Sequence, residues 1–173
     1  MAKMKEVIAQ IAELTIEDED GEECEVELEE PASAEELSDI SENIPLNAEL
    51  IDFYLTTNGM LLFSDEIYDL ESLDYDSENG IITIHEWGNG DFTCIATQQS
   101  KYPEGTVLFM NHSPDVLVPI ADSLSDWLLK VVAEYQKKGR LLHPADYFRS
   151  PQEQGLYSHV INALRGRDCE LNG

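Results

Sequence analysis

The chain has 173 residues, of which 42% are hydrophobic, and its 36 acidic and 10 basic residues give a formal net charge of −26. This length and apolar content fit one folded domain and exclude a disordered acidic tail. The charge disfavours binding to phosphate backbones and to anionic membranes. Two alternatives remain: the charge attracts a basic protein partner, or it only keeps the protein soluble.

The first residues predict an amphipathic helix rather than an export signal. Apolar residues recur at helical spacing between Lys3 and Leu14, but Glu6, Gln10 and Glu13 interrupt them. A signal peptide needs a continuous apolar region, and a membrane-spanning helix needs roughly 20 apolar residues. The three cysteines are odd in number and lack zinc-binding spacing, so we expect reduced thiols and a cytoplasmic location.

The segment TIEDEDGEECEVELEE predicts an acidic β-hairpin. Asp20-Gly21 is a turn signal, and apolar residues then alternate with glutamates, as in a strand with one wet face. The same residues partly match an EF-hand calcium loop. Ile16 would occupy the first position of that loop, which must supply an oxygen ligand, so we expect a hairpin and no metal.

Two capped helices are predicted next. Ser33 and Glu36 have the spacing of a capping box, and the first helix runs to about residue 43, where Ile44-Pro45 ends it. The second helix begins after Asn47, and Asn58-Gly59 ends it.

From residue 60 the pattern changes to strands, and a last helix follows them. Residues 74–80 are predicted to form a polar loop, and Pro119 places the last strand at an edge or an end. A helix is expected from Asp122 to Lys138, ended by Gly139, and the pattern allows a short helix at 152–164. The predicted strand segments are MLLFS, EIYDL, IITIHEW, FTCIAT, TVLFM and VLVPIA.

The stretch WGNGDF at 87–92 predicts a hairpin rather than a phosphate loop. A phosphate loop needs a helix directly after its glycines, whereas a β-rich run follows here and no lysine stands at the required position. Asn89-Gly90 suits the positive φ angles of a type I′ turn. We therefore predict a hairpin between two central strands, anchored by Trp87.

This order of elements resembles the SUKH superfamily, which joins the yeast Smi/Knr cell-wall regulators to many bacterial immunity proteins. The resemblance covers residues 31–147, leaving residues 1–30 as an N-terminal helix and hairpin of the same domain and 148–173 as a C-terminal extension. It implies a single α+β domain with a mostly antiparallel β-sheet packed against helices. The residues that carry it are Ile44, Pro45, Phe53, Tyr54, Asn58, Gly59, Trp87, Gly88, Asn89, Gly90, Asp91 and the helix start at 123–128 with Trp127.

The resemblance also implies a function. The family is not generally enzymatic, and many bacterial members resemble antidotes that bind and block a co-encoded toxin, often a nuclease. We therefore expect a protein-binding module with no catalytic residue, cofactor or metal, whose partner is a basic toxin domain and not a nucleic acid or a membrane. A regulatory scaffold that binds a cellular protein is the alternative, and the oligomeric state stays open.

The expected partner surface is a set of acidic residues on the loop side, although each of them alone could be part of a solvated rim. An enzyme is the third hypothesis. It would use His112 in FMNHSPD, or a metal at Asp18 and Asp20, but no GxSxG, HExxH or Cys/His pair is present. His85 is expected to be a structural histidine on the face shared with Thr83 and Trp87. The candidate surface consists of Asp65, Glu66, Asp69, Glu71, Asp74, Asp76 and Glu78, with Asp91 near the hairpin tip.

Overall fold

The computed structural model describes residues 2–88, 90–112, 115–141 and 144. These residues form four α-helices: α1 (Ala2–Ala12), α2 (Ala34–Ser41), α3 (Ala48–Thr56) and α4 (Leu124–Lys138). They also form nine strands: β1 (Thr15–Glu17), β2 (Glu23–Leu28), β3 (Met60–Leu62), β4 (Asp65–Ile67), β5 (Asp74–Asp76), β6 (Ile81–Glu86), β7 (Phe92–Ala96), β8 (Val107–His112) and β9 (Asp115–Ala121). A short 3-10 helix, Leu70–Ser72, lies between β4 and β5.

The strands form two antiparallel sheets with the orders β1-β2-β3-β4 and β5-β6-β7-β8-β9. The predicted α+β fold with antiparallel strands and packed helices is thus confirmed, but the strands divide between two sheets. The acidic hairpin is confirmed as β1 and β2. The last strand, β9, lies at an edge of the five-stranded sheet, as its Pro119 predicted.

The helix caps follow the local sequence. Ser33 and Glu36 form the predicted capping box, with hydrogen bonds of 3.1 and 3.2 Å, and Asn47 accepts a hydrogen bond from the Leu50 amide at 2.7 Å. Gly139 ends α4 with φ of +71°. The N-terminus of α4 receives a further contact from another helix, because the Glu49 carboxylate accepts a hydrogen bond of 2.7 Å from an α4 amide.

Two predicted helix ends and one predicted loop differ from the structure. Helix α2 ends at Ser41 rather than near residue 43. Helix α3 ends at Thr56, so Asn58-Gly59 lies beyond its C-cap Thr57. Residues 74–76 of the predicted polar loop form the edge strand β5, which pairs with β6. The strand alternates between two aspartates and Tyr75, which packs against the main core as a residue of a half-buried strand does.

The core has a large and a small part. The large part lies between the helices and one face of the five-stranded sheet, and it includes Trp127, Phe53 and Phe109, each fully buried. The small part lies on the opposite face of that sheet, where Ile81, Cys94, Ala96 and Leu108 are buried. Both faces of the five-stranded sheet are therefore apolar.

A β-bulge in β6 changes which face His85 occupies. Thr83 is paired with Cys94, and His85 is paired with Thr93, so the register shifts by one residue between them. Paired residues point to the same side, whereas neighbours in a strand point to opposite sides. Strict alternation predicted that His85 shares a face with Thr83. Because of the bulge it does not, and His85 points into the main core.

The hairpin between β6 and β7 exists, but its loop differs from the predicted two-residue turn. The Trp87 amide donates a hydrogen bond of 2.9 Å to the Asp91 carbonyl, so three residues lie between them. Gly88 and Gly90 both have φ of +89°. Trp87 anchors the hairpin as predicted, because its indole N–H donates to Thr93 Oγ1 at 3.1 Å.

Some predictions fall outside the described residues. These are Asn89 of the hairpin, the C-terminal extension at 148–173 and the helix at 152–164; the side chain of His112 is likewise not described. The proposed domain limits stay a prediction. No helix in the described ranges combines the length and the hydropathy of a membrane span, and the cytoplasmic location also stays a prediction.

Candidate partner-binding groove

The outward face of the four-stranded sheet forms an acidic groove with a volume of about 570 Å³. Five carboxylates line it together with Leu61, whereas Met60 and Ile67 border it with their side chains buried in the core at 2% exposure. Among the residues that the structure describes around the groove, none is a lysine or an arginine. The five acidic residues are Glu27, Glu29, Glu30, Glu66 and Asp69.

Strand alternation and register place the centre of this groove. Glu27 is paired with Leu61, and Leu61 is paired with Glu66, so the three side chains form a row across β2, β3 and β4. Adjacent strands lie about 4.8 Å apart, so the two carboxylates flank the apolar side chain closely. The residues that alternate with this row, such as Val26 and Leu62, are buried on the inner face.

The Asn58-Gly59 segment fixes one end of the groove. The Asn58 amide donates to the Glu30 carbonyl at 3.1 Å, and its side-chain oxygen accepts from the Leu70 amide at 2.9 Å. Gly59 has φ of +87°, and a Cβ atom there would lie 2.9 Å from the Ile67 carbonyl oxygen. Asn58 and Gly59 therefore allow two backbone segments to approach closely, and they do not cap α3.

The structure separates the eight acidic residues predicted for the partner surface. Glu66 and Asp69 line the groove. Two others face inward, because Asp65 bonds to core side chains and Asp91 is 2% exposed. Asp76 accepts hydrogen bonds from Asn79 and the Glu78 amide, which lower the pKa of its carboxyl group. The remaining three, Glu71, Asp74 and Glu78, are exposed and lie outside the groove lining.

Sequence reasoning missed three of the five groove carboxylates. Glu27 and Glu29 belong to the alternating segment of β2, which was interpreted only as a wet strand face, and Glu30 follows it. The signal that could have found them is the alternation itself. The register that sets Glu27 beside Leu61 and Glu66 joins segments more than thirty residues apart, and local patterns do not contain it.

Behind the groove, a buried chain of hydrogen bonds joins both sheets to α4. His85 Nδ1 lies 2.9 Å from Thr93 Oγ1, and His85 Nε2 lies 2.8 Å from Asp65 Oδ1. The other oxygen of Asp65 accepts a hydrogen bond from the Tyr135 hydroxyl. Burial and the nearby carboxylate raise the pKa of Tyr135 far above its ordinary value, so the hydroxyl keeps its proton and donates.

This chain has the residue types of an acid–base pair but not the access that catalysis requires. His85 is 1% exposed and Thr93 is fully buried. A general base must come within hydrogen-bond reach of a substrate proton. The arrangement therefore fits a structural connection, in agreement with the prediction that His85 is a strand histidine.

The Asp18 turn does not present a set of ligands. Asp18 Oδ1 accepts hydrogen bonds from the amides of Asp20 and Glu22, each at 2.9 Å, and so closes the turn between β1 and β2. Within the described ranges, no group of three or more histidine, cysteine, aspartate or glutamate side chains is arranged to hold a metal ion.

Comparison with known proteins gives one match. A family model described as SMI1 / KNR4 family (SUKH-1) matches residues 31–130, which are 100 of the 173 residues. The matched segment runs from α2 into α4 and includes β3 and β4 of the groove, whereas β2 precedes it. No curated protein matches the chain in a separate search.

Proposed function

Because the chain belongs to the SMI1 / KNR4 family (SUKH-1), we propose that it is an immunity-type protein that binds and neutralises a basic toxin domain, without catalysis of its own. The acidic groove on the four-stranded sheet carries this proposal. It gathers five carboxylates around the Leu61 side chain in one concave surface.

Charge supports a basic partner. The net charge of −26 attracts cationic proteins over distance and speeds their encounter, while the groove supplies a local site for the contact. Nuclease domains carry basic surfaces because they bind phosphate. A row of carboxylates can occupy such a surface in the place of the nucleic acid, which would block the nuclease.

The proposed contact surface differs from the one predicted by the sequence. It consists of the five groove carboxylates, with the exposed Glu71, Asp74 and Glu78 as an outer rim for long-range attraction. The proposed surface leaves out Asp65, which bonds to His85, and Asp91, which is 2% exposed.

The test is capture of the partner at low salt, with a variant that neutralises the groove. The groove variant carries glutamine at Glu27, Glu29, Glu30 and Glu66. The control variant carries glutamine at four exposed acids outside the groove lining, so both lose the same charge: Glu6, Glu13, Glu42 and Glu104.

We expect the wild type and the control to retain a basic protein that salt releases and that then shows nuclease activity. The groove variant should retain little of it. Equal capture by the groove variant and the control would refute the groove as the contact surface. Capture of a housekeeping or cell-envelope protein, with no activity inhibited, would favour the regulatory scaffold.

A further inference from the structure

The hairpin of β3 and β4, which forms the centre of the groove, is held from behind by one tyrosine of α4. We infer that Tyr135 is a positioning residue for the partner-binding groove and acts through Asp65. This inference rests on the proposed function, because it concerns how the same groove is kept ready to bind.

The turn of this hairpin has an unfavourable backbone conformation. Two residues, Phe63 and Ser64, connect the paired residues Leu62 and Asp65. Phe63 has φ of +61°, and it is the one residue other than glycine with positive φ in the described part of the chain. Such a conformation persists in a bulky residue where surrounding contacts enforce it.

Tyr135 contacts two residues of this hairpin. Its ring packs against the Phe63 ring with centroids 4.8 Å apart. Its hydroxyl donates a hydrogen bond to the Asp65 carboxylate. One side chain from α4 thus holds the turn residue with positive φ and the first residue of β4.

The five-stranded sheet holds Asp65 from the other side. His85 bonds to the second carboxylate oxygen, and Thr93 fixes the orientation of the imidazole ring. Both tryptophans of the chain flank that ring, Trp87 at 5.0 Å and Trp127 at 5.5 Å between centroids. Asp65 is therefore clamped between α4 and β6, and it cannot rotate without breaking a bond on one side.

The clamp reaches the groove through strand alternation. Asp65 points inward, so its neighbour Glu66 points outward, and the paired Leu61 does the same. Fixing Asp65 therefore fixes the part of the groove floor where Leu61 and Glu66 meet. A surface that is already ordered loses less conformational entropy when a partner binds, so the clamp should raise affinity without touching the partner.

The test removes the Tyr135 hydroxyl and keeps its ring. Tyr135→Phe leaves the Phe63 contact but deletes the bond to Asp65, and Asp65→Asn changes the same bond from the other partner. Thr97→Val is the matched control, because it deletes a buried hydroxyl that donates to the Gly80 carbonyl at 2.8 Å, away from the hairpin. Tryptophan emission reports whether the surroundings of His85 stay intact in each variant.

The first measurement is native-state amide hydrogen exchange. We expect Tyr135→Phe and Asp65→Asn to speed exchange in β3 and β4 by about tenfold or more relative to β7, as local opening of the hairpin does. A purely structural role would lower global stability and speed all protected amides together, as we expect for Thr97→Val. Exchange in β3 and β4 that follows the rest of the protein in both hairpin variants would overturn the inference.

The second measurement is binding of a hexalysine peptide, with its side chains charged, at low salt. Amide chemical shifts map where it binds. We expect weaker binding in the groove for both hairpin variants than for Thr97→Val, at unchanged net charge for Tyr135→Phe. Unchanged hexalysine binding in the four-glutamine groove variant would count against the proposed function. Loss in that variant, with full binding in both hairpin variants, would refute the positioning role alone.

Discussion

The two sheets of this protein use their faces in opposite ways. In the five-stranded sheet, β6 is buried at five consecutive residues, Ile81 to His85, and both faces carry apolar clusters. In the four-stranded sheet, β2 is buried mainly at Val26, while its glutamates point outward. One sheet is a scaffold with two covered faces, and the other exposes one acidic face, which is the proposed partner surface.

The difference shows where this chain can accept its large negative charge. Carboxylates are well solvated on the outward face of the four-stranded sheet, whereas the five-stranded sheet has no comparable wet face on its central strands. The clearest tests place the same change on each sheet and compare the results.

The largest contrast is expected from a lysine on the two sheets. Leu108→Lys puts a charge on the fully buried second face of the five-stranded sheet, and we expect a loss of about 4 kcal/mol or more. Leu61→Lys puts the charge between Glu27 and Glu66 on a partly exposed site, so the change should stay within about 1 kcal/mol. Thermal unfolding followed by circular dichroism measures the stability of both variants. Similar losses would contradict the distinction between a sheet with two covered faces and a sheet with one exposed face.

The two described cysteines give the same comparison through reactivity. Burial raises the pKa of the Cys94 thiol from 9.0 to about 12, and Cys94 is fully buried in the five-stranded sheet. Partial burial and the Asp18 carboxylate raise the pKa of Cys24 on the four-stranded sheet. In a Cys169→Ser background at pH 8, we expect a disulfide reagent to modify Cys24 slowly and Cys94 only after unfolding.

The assay counts released chromophore with and without denaturant, and Cys24→Ser provides the control. Native modification of Cys94 at a rate close to that of Cys24 would mean that the five-stranded sheet opens easily, and the scaffold interpretation would be wrong.

Features of this fold that depend on neighbouring residues could be predicted, and those that depend on distant pairing could not. The capping box at Ser33 and the glycine stop at Gly139 involve contacts within a few residues. The bulge that turns His85 inward follows from the pairing of β6 with β7, and the local sequence IITIHEW does not predict it. The groove shows the same limit, because its acidity was visible in the sequence while the register that assembles it was not.

Alkaline pH should weaken the hydrogen-bonded connection of Tyr135, Asp65 and His85 between the two sheets and α4. Burial and the Asp65 carboxylate raise the pKa of Tyr135 above its unfolded value of 10.0. A raised pKa means that the folded state keeps a proton that the unfolded state releases, so stability is complete below pH 10 and falls as pH rises further. We expect Tyr135→Phe to unfold at lower denaturant at neutral pH but to lose less stability between pH 9 and 11.

Tyr54 is the internal comparison for that prediction, because burial also raises the pKa of its hydroxyl group, which donates to the Tyr68 carbonyl at 2.7 Å. Tyr54→Phe should flatten the alkaline profile similarly while leaving exchange in β3 and β4 unchanged. An alkaline profile for Tyr135→Phe parallel to that of the wild type would contradict the role of Tyr135 in this pH dependence.

The smallest expected effect concerns the outward face itself. Glu27 and Glu66 lie two strands apart on one face, so their charges repel, and salt at physiological concentration screens much of that repulsion. The double variant Glu27→Gln/Glu66→Gln should therefore raise Tm slightly, by about 1–2 °C at low salt, and the gain should shrink as salt is added. Glu6→Gln/Glu13→Gln removes the same charge from α1 and the turn that follows it, and it is the control. A loss of stability specific to the groove pair would show that these carboxylates support the fold. A gain in stability combined with weaker partner binding would show that the row is kept for binding at the expense of stability, which is the distinction between the two sheets in its sharpest form.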